Sequence, residues 1–141
     1  MSERGISLEI VYCDPDIVEV VAAVSNDRFS GVASLYTSLA EVADAARTIA
    51  GFPAHTGDVR EVRLGDAEGG WPGGVLLRFR CVDRLGHVYV ESAIHGGDES
   101  GNRQQATISI ATDAASIDRF VDALSAMGRT GGGRAHLRIA S

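Results

Sequence analysis

The chain contains no lysine: all thirteen of its basic residues are arginine, set against nineteen acids in 141 residues. The resulting formal charge of −6 argues against general nucleic-acid binding, which depends on neutralising phosphates. Lysine is also what a P-loop requires after its glycines. The one tempting stretch, "GRTGGGR", follows a helical segment, whereas a phosphate loop precedes one. Cysteine is scarce. Cys13 and Cys81 each lie inside a strand-like segment and read as reduced, partly buried thiols. A disulfide scaffold is not needed, because a domain near this size buries roughly 70% of its unfolded surface. Long apolar runs are missing too. The longest, Ile17 to Val24, is interrupted by Glu19 and falls far short of the roughly 20 residues that cross a bilayer. The opening "MSERGISLEIVYC" has neither the basic start nor the apolar run of a signal peptide. The expectation is a cytoplasmic protein with no membrane or nucleic-acid partner.

Catalytic signatures are equally sparse. There is no GxSxG elbow and no HExxH pair. "DESGN" from Asp98 resembles the start of a calcium loop, but the sixth and twelfth positions hold Arg103 and Ser109 where Gly and Glu are required. His87 and His95 are eight residues apart, roughly 26 Å along a strand, and so cannot share a metal. His95 with Asp98 and Glu99 is the closest metal-ligand set, a weak one, and it reads more simply as a histidine beside a solvated acidic loop. No cofactor is implied, and an enzyme is not the expected reading.

What the chain does contain is alternation and two helical stripes. "ISLEIVY" puts Leu8, Ile10 and Tyr12 on one face, and "IVEVVAAV" and "FSGVASLYT" follow as two further strands. A helix begins at Ser38, with Glu41 at capping-box spacing, carries Val42, Ala45, Ala46 and Ile49, and stops at Gly51 and Pro53. "REVRL" is a fourth strand. "VLLRFRCV" and "HVYVESAI" form a hairpin across "DRLG". Pairing Val82 with His87 places Arg80 opposite Tyr89 and Arg78 opposite Glu91 on one face. Cys81, Phe79 and Leu77 then meet Val88, Val90 and Ser92 on the other. "QQATISIAT", with Ile108 and Ile110 inward, leads to a second helix from Thr112 or Asp113 that buries Ile117, Phe120, Val121 and Leu124.

The passages "SLYTSLAEVADAARTIAGF" and "SIATDAASIDRFVDALSAM" align at an offset of 75 residues, which suggests an internal repeat or two convergent strand-to-helix units. The order is three strands, a helix, four strands and a helix. The expected fold is α+β: a two-layer sandwich with one antiparallel sheet of six to seven strands and both helices on one face. Residues 1–128 make one domain carrying ten arginines and nineteen acids. Residues 129–141 carry three arginines and no acid, and read as a flexible tail or a short terminal strand.

The face left uncovered by the helices would present Arg78, Arg80, Tyr89 and Glu91, together with Arg63 and Glu61. Arg and Tyr concentrate binding energy at interfaces. The same residues also suit an ordinary cross-strand ion pair, Arg78–Glu91, and a cation–π contact, Arg80 over Tyr89. Trp71, the single tryptophan, is read as a core cap or as an exposed anchor.

Three segments, "RFSGVASLYTSLAEVADAARTIAGF", "LLRFRCVDRLGHVYVESAI" and "ATISIATDAASIDRFVDAL", resemble in their layout the small bacterial immunity proteins of the WapI type. The resemblance spans residues 17–127, with Gly86-His87 its most distinctive point. It implies a protein that binds and neutralises a toxin without a reaction of its own. The acidic body suits a basic toxin domain as partner. Two alternatives stand beside it: a small enzyme or metal-binding protein using His95, Asp98 and Glu99 or a thiol, and a self-associating module such as a homodimer.

Overall fold

The computed structural model describes residues 4–66, 72–97 and 100–140. Among these, the elements run β1 (Gly5–Cys13), β2 (Val18–Ser25), β3 (Ser30–Thr37), α1 (Leu39–Ile49), β4 (Val59–Gly65), β5 (Gly73–Cys81), β6 (Val88–Gly97), β7 (Arg103–Thr112), α2 (Ala114–Thr130) and β8 (Arg134–Arg138). Period-two alternation builds the strands. In β2, Val18, Val20, Ala22 and Val24 are buried, and the residues between them are not. Ser38 caps α1 by accepting the Glu41 N–H at 3.2 Å, and the Glu41 carboxylate accepts from the Thr37 hydroxyl at 2.5 Å. Asp113 caps α2 by accepting the Ser116 N–H at 2.7 Å, a bond that holds its carboxyl below the usual range.

The strands divide into two four-stranded antiparallel sheets, β3-β2-β1-β8 and β4-β5-β6-β7. The expected single sheet of six to seven strands with both helices on one face is therefore corrected. Alternation reveals which face of a strand is buried, but not which neighbour it bonds. β3 does not pair with β4. It crosses the second sheet at close range, where a Cβ on Gly65 would come within 2.7 Å of Leu35 Cβ and one on Gly73 within 2.8 Å of the Ser34 carbonyl. Gly65 also has φ +71°, which favours glycine independently.

Residues 134–138 form β8, antiparallel to β1 from Gly5↔Arg138 to Glu9↔Arg134. Each sheet is thus completed from the other half of the chain: β4 follows α1 and joins β5, while β8 follows α2 and joins β1. The helices pack on each other and on these completing strands, α1 on β4 and α2 on β8. Gly128 lets α2 approach α1, since a Cβ there would sit 3.0 Å from Ala43 Cβ. The passages related by the 75-residue offset are β3–α1 and β7–α2.

Both sheets and both helices line one apolar core that includes Ile6, Leu35, Leu77, Phe79, Phe120 and Leu137. Fully burying such a side chain is worth about 1.5–3 kcal/mol. One expectation on β1 changes. A bulge between Ile10 and Tyr12 breaks the alternation, so Tyr12 leaves the Leu8 face, becomes exposed and pairs with Glu19. Its hydroxyl donates to Asp14 at 2.7 Å, which lowers the Asp14 pKa and raises that of Tyr12.

Candidate interaction surface

The outer face of the second sheet is built by register. Val59, Arg80, Tyr89 and Ala111 form one cross-strand row, and Glu61, Arg78, Glu91 and Ser109 form the next. The hairpin pairs Arg80 with Tyr89 and Arg78 with Glu91, as its sequence requires, while Phe79 and Val90 are buried behind them. Arg63, one row on, is opposite Leu76.

The contacts within this face differ from the expected ones. Arg78 turns away from Glu91 toward its other cross-strand neighbour, Glu61, and Nε reaches Oε1 at 3.9 Å. Arg63 approaches the same carboxylate at 3.8 Å. Both distances lie near the limit of an ion pair, and all three side chains are about half exposed, so the stabilisation is small. Among the described residues, Arg80, Tyr89 and Glu91 make no side-chain hydrogen bond or ion pair. The cation over a ring is instead Arg60 above Phe52, at 5.4 Å.

Exposed apolar groups extend the patch beyond what the sequence had marked. Val59 is 45% exposed beside Arg80, Val82 is 44% exposed at the end of β5, and Leu85 is 83% exposed at the hairpin tip. Asp83 fixes that tip. Its Oδ1 accepts the Leu85 N–H at 2.9 Å and the His87 N–H at 3.3 Å, and its Oδ2 meets His87 Nδ1 at 2.5 Å. The His87 bond is the main cause of the lowered Asp83 pKa. Val82 shares the parity of Arg78 and Arg80 and was legible on that ground. Val59 needed the β4–β5 register.

The other candidates are dispersed. His95 is half-buried on β6, and its Nε2 bonds the Asp66 carbonyl. Asp98, Glu99 and Trp71 lie outside the described residues. No group of three or more His, Cys, Asp or Glu able to hold a metal occurs among the described residues. Cys13 is exposed and Cys81 buried, the Cys81 thiol donating to the Asp83 carbonyl at 3.3 Å. Among the described residues, no helix is long and apolar enough to cross a membrane.

A pair the sequence did not mark organises the end of α1. Arg60 donates to the Thr48 and Ala50 carbonyls at 3.1 and 2.7 Å and to Asp58 Oδ2 at 3.0 Å. Asp58 also accepts the Ala54 N–H at 2.9 Å, the first cause of its lowered pKa, with Arg60 assisting. Arg60 has the same strand parity as core residues Val62 and Leu64, so only the fold reveals it as a helix cap. Comparison with known proteins finds no matching family model, no matching curated protein and no matching solved structure.

Proposed function

We propose that this protein is a non-enzymatic binding module that engages a protein partner through the outer face of its second sheet. One observation carries the reading. Arg80, Tyr89 and Glu91 stand exposed and unbonded among the described residues, with Val59 paired to Arg80 and Val82 following Arg80 on the outward parity of β5. An arginine, a tyrosine and aliphatic groups on a rigid sheet combine the residue types that dominate binding hot spots, and holding them on strands limits the entropy lost on association. Loss of Arg78 would affect the same face through Glu61.

The layout resemblance supports a more specific reading, an immunity-like protein that occludes a toxin in the cytoplasm. The acidic body, ten arginines against nineteen acids over residues 1–128, favours a basic toxin domain through long-range attraction. The common element order of the two halves, three strands, a helix and a strand, supports reading the 75-residue offset as a duplication.

The test is a pull-down from native lysate comparing wild type with the Arg78→Ala, Arg80→Ala, Tyr89→Ala triple variant, after circular dichroism shows that the variant is folded. A stoichiometric protein held by wild type and lost by the variant supports the reading. Equal capture by both removes it. Analytical ultracentrifugation of each identifies the case in which the partner is a second copy.

A further inference from the structure

We propose that a groove between β3 and the β6–β7 ribbon receives an extended, uncharged segment of another protein, which adds to the free edge of β3 as a further strand. The groove encloses about 520 Å³. Its lining includes Ser30, Val32 and Ser34 of β3, Gly96 of β6, and Gln104 and Gln105 of β7. This surface is separate from the Arg80–Tyr89 face and does not depend on it.

The hydrogen-bonding pattern identifies the occupant. The Asn26 N–H donates to the Phe29 carbonyl at 2.9 Å, which makes that pair the bonded end of the β2–β3 hairpin. Bonded and non-bonded pairs alternate along an antiparallel ladder. In Ser25↔Ser30, Ala23↔Val32 and Val21↔Ser34, therefore, the backbone groups of the β3 residue point away from β2. The Ser34 carbonyl agrees, since it lies against Gly73. Ser30 and Val32 thus each direct one N–H and one C=O into the groove, and no described residue takes them up. Such a row is matched by the backbone of an extended chain.

Charge distinguishes this edge from the other three. β4 carries Arg60, Glu61 and Arg63, while β8 is only five residues long and carries Arg134 and Arg138. β7 carries Arg103, and its Ser109 and Ala111 carbonyls are taken by Asn26 Nδ2 at 3.0 Å and the Ala140 N–H at 2.8 Å. Charges, shortness and covering groups are the usual ways of preventing strand addition. β3 has eight residues and no charge.

The lining also limits what can enter. Among the described residues it contains no Asp, Glu or Arg, so a charged guest side chain would lose water there without gaining a counterion from them. Gly73 covers the Ser34 carbonyl, so the free edge runs from Ser30 to Val32, about 7 Å at about 3.3 Å per residue, enough to pair about three guest residues. Because the lining comes from β7 as well as from β3, a single extended segment suits the groove better than the edge of a second whole sheet, and a second copy of this chain is an outcome of the test.

The test pans a displayed library of random heptapeptides on the protein, with Val32→Lys as counter-target. Val32 is 66% exposed, so the variant keeps the fold, which its melting curve checks. The expected result is enrichment of uncharged peptides that bind at least tenfold more weakly to Val32→Lys and equally well to Arg80→Ala. Methylating alternate backbone nitrogens of an enriched peptide should abolish its binding. Failure to enrich over the counter-target, or binding indifferent to N-methylation, overturns the proposal. So does concentration-dependent exchange protection of the Ser30 and Val32 amides in the free protein, which would make the occupant a second copy.

Discussion

Arg60 and Asp58 meet at 3.0 Å beneath the C-terminal end of α1, and together they join β4 to the helix that precedes it. The last carbonyls of a helix have no partner within it. Arg60 supplies one for Thr48 and Ala50, and Asp58 holds the guanidinium in place. Arg60→Ala should cost about 2–3 kcal/mol in urea unfolding, because charge-assisted hydrogen bonds are lost from a mostly buried site. Arg60→Lys should recover only part of this, since a single ammonium cannot reach three acceptors with the fork of a guanidinium.

The same pair predicts a pH dependence. The folded state lowers the Asp58 pKa, so the unfolded chain binds its proton first as pH falls. The stabilisation is complete above the ordinary carboxylate range and is lost as pH drops through the lowered folded value. Asp58→Asn should therefore be less stable than wild type at neutral pH, and the gap should narrow in acid. Urea midpoints measured from pH 7 down to pH 3 check the direction.

Ser92 is fully buried between Leu77 and Ile108, and its hydroxyl has no hydrogen-bond partner among the described residues. An unsatisfied buried hydroxyl is destabilising. Ser92→Ala should raise stability by about 1 kcal/mol, read as a higher urea midpoint at unchanged slope. A lower midpoint would mean that the hydroxyl is bonded in solution.

Exchange of β4 and β8 between the halves should make unfolding a single event. Leu137 on β8 is fully buried, and its truncation to Ala should cost about 2–5 kcal/mol. Hydrogen exchange should then accelerate together in β1, which β8 pairs, and in β5, which it does not touch as a neighbour. Acceleration confined to β1 would show that the sheets open independently.

The hairpin register was legible because a charged face and an apolar face alternate through "VLLRFRCV" and "HVYVESAI", and a one-residue slip would spoil both. Helix starts were legible because Ser38 and Asp113 are local signals. The division into two sheets was not. It depends on β3 crossing glycines 30 to 40 residues away in sequence, and on a five-residue β8 whose alternation, Ala135 and Leu137, is too short to separate from a tail. The outward Tyr12 was hidden for a related reason, since a bulge leaves no mark in an alternating pattern. Of the candidate face, the positions were readable and the contacts were not: Arg78 had two acidic neighbours across the sheet, and only side-chain geometry selects Glu61.

The central claim is that the Arg80–Tyr89 face binds a protein. Its most direct test is the affinity of the purified captured partner for wild type, Arg80→Ala, Tyr89→Ala and, as a control on the exposed side of α1, Arg47→Ala. The account predicts at least a tenfold loss for Arg80→Ala and for Tyr89→Ala, about 1.4 kcal/mol or more each, with the control unchanged. Affinities within twofold of wild type for both face variants, with folding intact, would contradict it.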